Sequence, residues 1–205
     1  MAVKAGVYGG RTHDERRRER RERLLEAALE VWGTEAAGPV TMTRVCTTAG
    51  LSERYFYEQF TNLEAALTAV LESVAEEIAT ASVSALEQAE GDAEQRVRAG
   101  LAAFVRILTG DPRKGRVAMI ESVALPALRA RRAELLRDFV ALTAQESRTL
   151  HGPGAWTETE GRLAATMFIG GIAQLVTDWL EGAVEAQPDD IVDAAVHLFE
   201  ATAHR

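Results

Sequence analysis

The chain has 205 residues, 47% of them hydrophobic and 26% charged, a balance that excludes a disordered chain and allows a core without disulfides or metals. Its one cysteine, Cys46, excludes an intramolecular disulfide and fits a reducing compartment, with a small buried hydrophobe as its expected role. The net charge of −8 is unevenly placed: residues 1–62 carry ten Lys and Arg against nine Asp and Glu, and residues 63–205 carry thirteen against twenty-two.

In chain order, residues 1–20 are expected to form a flexible basic arm. Seven arginines (Arg11, Arg16, Arg17, Arg18, Arg20, Arg21 and Arg23) stand against four acids between residues 11 and 23, a local positive run in an acidic protein. Residues 1–21 hold no apolar core of the length a signal peptide needs, and no uninterrupted apolar run elsewhere reaches the ~20 residues of a membrane span, so a cytoplasmic protein without membrane contact is expected.

From Glu22, the apolar residues Leu25, Ala28, Leu29 and Trp32 recur at helical period, and Gly33 ends that helix before a loop to Val40. A short helix over Thr43–Ala49 and another running through Phe60 flank Gly50-Leu51-Ser52. A long helix then opens at Thr61, read as N-cap with Glu64 completing a capping box, and keeps period through Leu63, Leu67, Val70, Leu71, Val74 and Ile78 towards Gly91-Asp92. Its length fits a connector between domains.

Further helices are expected from Val97 to Leu108, from Lys114 to about Val123, and from Leu128 to Leu150, with Pro126 interrupting and His151-Gly152-Pro153-Gly154 as a stop. Thr157 and Glu160 form another capping box opening a helix to about Val184, and Pro188-Asp189-Asp190 opens the last one. Neither sustained two-residue alternation nor a tandem repeat is present, so the predicted class is all-α with about nine helices. The domains divide as the arm, a helix-turn-helix domain over residues 21–62, and a helical body over residues 63–205.

The segment from Thr41 to Phe60 carries the functional signal. A helix-turn-helix needs a small residue where its helices approach, a glycine able to take left-handed dihedrals in the turn, and apolar inward faces. Cys46 supplies the first, Gly50 the second, and Val45, Ala49, Leu51, Phe56 and Phe60 the third. Ser52 is placed to cap the second helix, leaving Glu53, Arg54, Tyr55, Tyr57 and Gln59 on or near its outer face.

Those residues resemble the TetR family of bacterial regulators, over roughly the first 60 residues and more loosely beyond. The resemblance rests on Trp32-Gly33, Thr41, Ala49-Gly50-Leu51-Ser52, Phe56-Tyr57, Phe60 and Asn62-Leu63-Glu64. Two positions depart from the family pattern: Arg54-Tyr55 stands where Gly-Thr is usual, and Leu63 where a Lys commonly sits. The resemblance implies binding to double-stranded operator DNA, with phosphate contacts from Thr41, Thr43, Arg44 and Tyr57, base-edge contacts from Arg54 and Tyr55, and Ser52 and Glu53 at the helix start completing the DNA-binding set.

It further implies a homodimer through the last two helices, with Ala164, Ala165, Phe168, Gly171, Ile172, Leu175, Trp179, Leu198 and Phe199 as interface candidates. A small-molecule effector is expected between the middle helices, at Phe104, Leu108, Met119, Glu121, Phe139, Thr143, Met167 and Phe168. Glu121, an acid inside the apolar run Val117–Leu125, would need a partner if buried, either a cationic ligand or a neighbouring arginine.

No catalytic residue, metal or cofactor is expected: His13, His151, His197 and His204 lack ligand spacing and an evident nucleophile. The resulting expectation is a sequence-specific transcriptional regulator, a repressor released by its effector. The competing reading is a helical scaffold or interaction protein that has lost DNA binding.

Overall fold

The computed structural model describes residues 12–34, 38–152 and 156–203. Among the described residues the regular structure is entirely helical, and the chain divides into two compact units, Met1–Val70 and Leu71–Arg205.

The first unit contains α1 (His13–Gly33), α2 (Met42–Ala49), α3 (Glu53–Tyr57) and the opening turns of α4 (Leu63–Gln88). The arm expected over residues 1–20 is helical from His13 onward. Thr12 and Glu15 form a reciprocal cap, in which the Thr12 hydroxyl accepts from the Glu15 N–H at 3.2 Å and the Glu15 carboxylate accepts from the Thr12 N–H at 2.5 Å. This cap satisfies two of the backbone donors at a helix start that has no apolar stripe of its own. Arg11 and the residues before it lie outside the described residues.

Leu24, Ala28, Trp32, Val45, Phe56, Phe60 and Leu67 form the core of this unit. Full burial of each large side chain contributes about 1.5–3 kcal/mol, which is how five- and eight-residue helices persist at all. The cap of α4 differs from the reading from sequence: Asn62, not Thr61, accepts the Ala65 N–H, at 2.8 Å. The boundary also moves from residue 62 to Val70, because the buried Ala66, Leu67 and Val70 belong to the first unit and one helix continues unbroken into the second.

The second unit continues with α5 (Ala93–Gly110), opened by a capping box between Asp92 and Gln95. After it comes α6 (residues 112–124), in which Pro112–Arg116 and Ser122–Ala124 are joined by a π turn, Val117–Glu121. A 3-10 turn at Pro126–Leu128 leads into α7 (Arg129–His151). The Thr157–Glu160 capping box opens α8 (Glu158–Leu180), and α9 (Pro188–Ala203) closes the chain. Nine helices therefore make up the described residues.

Helix α7 packs on α8, and α9 packs on both α5 and α8. Val97, Val105, Leu108, Phe168, Ile172, Val176, Val196 and Phe199 meet in the core. By length and composition α8 is apolar enough to cross a membrane, and 22% of its most apolar stretch is buried inside the protein. Its buried stripe of Ala165, Phe168, Ile172 and Val176 is core.

Candidate DNA-reading surface and internal cavity

The turn between α2 and α3 is built on Gly50, whose dihedrals of 62° and 36° lie in the left-handed region, where a side chain would cost about 1–2 kcal/mol. The Gly50 N–H donates to the Thr47 carbonyl at 3.1 Å and the Leu51 N–H to the Cys46 carbonyl at 3.0 Å, closing α2. Thr41 caps the other end, its hydroxyl accepting from the Arg44 N–H at 3.3 Å. Cys46 is buried where the helices meet, and burial, with a smaller contribution from Glu53, pushes its thiol above the ordinary thiol range.

Ser52 occupies the N-cap position of α3, but by backbone alone. Its carbonyl accepts from Tyr55 and Phe56 at 3.0 and 3.3 Å, while its hydroxyl makes no capping bond. Phe56 is fully buried and fixes the rotation of α3. That rotation leaves Arg54 with 85% of its side chain exposed, Tyr57 58% exposed and Tyr55 38% exposed.

Thr41, Thr43, Ser52 and Glu53 are exposed too, so seven of the eight expected DNA-binding residues reach the surface, and Arg44 is half-buried. Some are held in place. Arg44 Nη1 donates to the Pro39 carbonyl at 2.7 Å, Thr43 Oγ1 donates to Glu53 Oε1 at 3.4 Å, and Arg54 Nε lies 3.4 Å from Glu58 Oε1.

The arginine run has a part that sequence reasoning assigned only to an electrostatic arm. Arg23 donates to the Ala49 carbonyl at 2.6 Å, Arg20 lies 4.7 Å over the Tyr55 ring, and Arg21 lies 4.6 Å over the Phe60 ring. These three guanidinium groups brace the helix-turn-helix. Of the other arginines on α1, Arg17 and Arg18 are exposed and Arg16 is half-buried.

The second unit holds a partly open apolar cavity of about 190 Å³, lined by α4, α5, α6, α7 and α8 and by Phe199 of α9. Phe104, Met119, Phe139, Thr143 and Phe168 line it as expected. Three expected residues do not. Leu108 is fully buried in the core, and Met167 points outward with 71% exposure, because the inward stripe of α8 passes through Phe168.

Glu121 is half-buried outside the cavity lining, and its carboxylate meets Arg116 Nε at 2.8 Å across the π turn. Of the two partners foreseen for this acid, the neighbouring arginine is the one found. Sequence reasoning also missed Arg132, which lines the cavity from α7. Among the described residues no cluster of three or more His, Cys, Asp or Glu is arranged to hold a metal ion.

No family model and no curated protein matches the sequence. Solved structures match it in fold. The fatty acid degradation regulator FadR from Bacillus halodurans gives a TM-score of 0.76 at 19% identity, over 91% of this chain and 97% of that one. FadR from Bacillus subtilis, solved in complex with stearoyl-CoA, gives 0.71 at 18% identity, over 86% of this chain and 96% of that one. A TetR family transcription regulator from Marinobacter aquaeolei gives 0.66 at 20% identity, over 94% of this chain and all (100%) of that one.

The chain has the TetR-family fold. Within that fold, α8 and α9 carry the residues read from sequence as a dimer interface, and they divide into two groups. Ala165, Phe168, Ile172 and Phe199 are buried in the protomer, with Phe168 and Phe199 edge to face at 5.4 Å. These four pack in the core of their own protomer. Gly171 and Leu198 are exposed, and Ala164, Leu175 and Trp179 are half-buried. The exposed face of α8 also carries Leu163 and Met167, at 63% and 71% exposure. A helix apolar on every side gives no signal for which side faces inward.

Proposed function

We propose that this chain is a TetR-type, sequence-specific regulator that binds double-stranded operator DNA as a homodimer and leaves it when a small-molecule effector fills the cavity of the second unit. The observation that carries the reading is α3: a five-residue helix fixed by buried Phe56 after a left-handed Gly50, presenting Arg54 and Tyr57 to solvent. Core packing does not account for an exposed tyrosine and arginine on so short a helix, whereas base-edge and phosphate contacts do. The cytoplasm, where operator DNA is found, is the compartment that goes with this reading.

Support for the effector comes from the cavity and from its position on α4. That helix begins in the first unit and lines the cavity from Leu71 to Leu86. A ligand that displaces the lining stretch moves the opening turns with it, and a coupling of about 1–3 kcal/mol is enough for a 5- to 150-fold change in operator affinity. One neighbour in fold was solved with stearoyl-CoA, which supports a ligand-responsive regulator. Repression is the direction that such release implies.

The test is fluorescence anisotropy of labelled DNA from upstream of the chain's own coding sequence, titrated with protein over a series of salt concentrations. Sequence-selective binding whose logarithm falls linearly with the logarithm of salt is the expected result. No binding at low salt overturns the reading and favours the helical scaffold.

A further inference from the structure

Arg131 and Arg132 are adjacent on α7 and have opposite fates. Arg131 is paired twice, its Nε donating to Glu72 at 2.7 Å and its Nη1 to Glu134 at 2.9 Å. Arg132 turns into the cavity wall, where its Nε is shut off from solvent and has no hydrogen-bond partner. Burial alone pulls its guanidinium below the ordinary arginine range, and no carboxylate acts on it in return. Arg132 as a whole is half-buried, so a guanidinium at the wall of an apolar cavity, with no carboxylate acting on it, offers a seat for an anion that is bound and not built in.

The rest of the cavity says what that anion is attached to. The lining runs along α4 from Leu71 to Leu86 and along α7 from Arg132 to Glu146, which at 1.5 Å per residue is about 20 Å on each helix. Between those ends the walls are mainly Leu, Ile, Val, Phe, Met and Ala, with Ser82 and Thr143 as polar exceptions, and about 190 Å³ of space is many times the 10–15 Å³ that one water needs.

Leu71 and Arg132 share one end, since Arg131 is bonded to Glu72. Glu146 stands about 21 Å further along α7, too far to neutralise Arg132 and of the sign that repels an anion from its own end. Ser82 is a second buried polar group without a partner. It lies ten residues beyond Glu72 on α4, about 15 Å along the axis, and so sits beside the chain of a ligand and not at its head. Met119, carried into the wall by the π turn, is the flexible side chain that fits itself to an alkyl chain.

We propose that the cavity binds a long-chain amphipathic oxyanion, its carboxylate or phosphate-bearing head seated at Arg132 and its apolar chain extended between α4 and α7 towards Glu146. This assignment rests on the effector role given to the cavity above. The head group comes either from a free fatty acid or from an acyl thioester of coenzyme A, and both present oxyanions to the guanidinium.

The experiment is isothermal titration calorimetry of the full chain, without DNA, against decanoate, decanoyl-CoA, decanol and decyltrimethylammonium. The expected order has one or both anions binding and the neutral alcohol and the cation weaker by about tenfold or more, the worth of a hydrogen bond to a charged group. Binding by decanoate assigns the free acid, and binding by decanoyl-CoA alone assigns the thioester. Arg132→Gln is expected to bring the anion down to the level of the alcohol, Arg132→Lys to retain part of the difference, and Arg131→Gln to change nothing.

Equal binding of acid and alcohol to the unaltered chain overturns the proposal, as does an Arg132→Gln variant that keeps full preference for the anion. If that variant does not fold, the acid-to-alcohol ratio of the unaltered chain and the Arg132→Lys result decide. Because no DNA is present, loss of the regulator reading and loss of this one are separate results. An anion-selective cavity in a chain that ignores DNA keeps the second without the first.

Discussion

Arg23 on α1 donates a 2.6 Å hydrogen bond to the carbonyl of Ala49, the last residue of α2, immediately before the left-handed Gly50. This bond holds the start of the turn against the first helix. A methyl group added at Gly50 would approach Arg23 Nη2 to 3.2 Å, so the guanidinium and the bare glycine depend on each other. Arg23→Leu is expected to destabilise the first unit by about 1.5–3 kcal/mol, the range for a hydrogen bond to a charged donor. Thermal unfolding followed by circular dichroism checks it, and Arg23→Lys is expected to recover part of the loss.

Arg54 and Tyr57 differ in the kind of DNA contact proposed for them, and their substitution separates the two. Arg54→Ala is expected to cost about 1–3 kcal/mol in operator affinity and to relax selectivity at one base position, as loss of a base-edge contact does. Tyr57→Phe is expected to lower affinity evenly across sequences. Neither should move the unfolding temperature measurably, because both side chains are exposed and such positions stay within about 0.5 kcal/mol. Anisotropy titrations against operator and scrambled DNA read the difference, and unchanged operator binding in both variants would remove α3 from the interface.

Asp111 caps α6 and holds Arg113, accepting from its N–H at 3.2 Å and from its Nη2 at 2.7 Å. The Arg113 guanidinium lowers the Asp111 carboxyl below its ordinary value, so the stabilisation is complete above the usual carboxylate pKa of about 3.9 and is lost as pH falls through the depressed one. Asp111→Ala is expected to cost about 1 kcal/mol at neutral pH, and Asp111→Asn less, since an asparagine side chain also caps. Urea unfolding at pH 7 and pH 3 checks both: the stability gap between the unaltered chain and the Asp111→Asn variant should narrow at the lower pH.

Much of this was legible in the sequence where one residue type has one physical use. Gly50, followed by Leu51 and Ser52, announced the turn; Thr157 with Glu160, and Pro188, announced two helix starts. Thr12 and Glu15 offered the same capping signal, but the polar stretch after them has no apolar stripe to mark it as helix. Arg20, Arg21 and Arg23 gave a charge count and no hint that their guanidinium groups lie against Tyr55, Phe60 and Ala49.

The cavity was the least legible part. Periodicity separates apolar from polar faces, and cannot tell an apolar face that meets a void, as at Phe139, from one that meets core, as at Leu108. Glu121 found Arg116 five residues away because the π turn between them changes the register that α-helical spacing assumes. Arg132 sits in a run of arginines whose members look alike until their partners are placed.

The dimer supplies the last prediction, because α8 separates an inward from an outward residue at neighbouring positions. Phe168 packs edge to face on Phe199 inside the protomer, while Met167 is 71% exposed beside Leu163 and close in sequence to Gly170 and Gly171. Leaving that apolar face in water is unfavourable, and the small residues allow another helix to come near. Met167→Glu, which buries a charge if a second copy covers the face, is expected to weaken self-association by about 100-fold or more, a loss on the scale of an interface hot spot. Phe168→Ala is expected instead to leave a core void and cost about 3–5 kcal/mol of folding stability. Light scattering after size exclusion, paired with thermal unfolding, distinguishes them: Met167→Glu should become monomeric with little change in protomer stability. A chain that is monomeric before any substitution, or a Met167→Glu chain that stays dimeric, moves the interface off this face of α8.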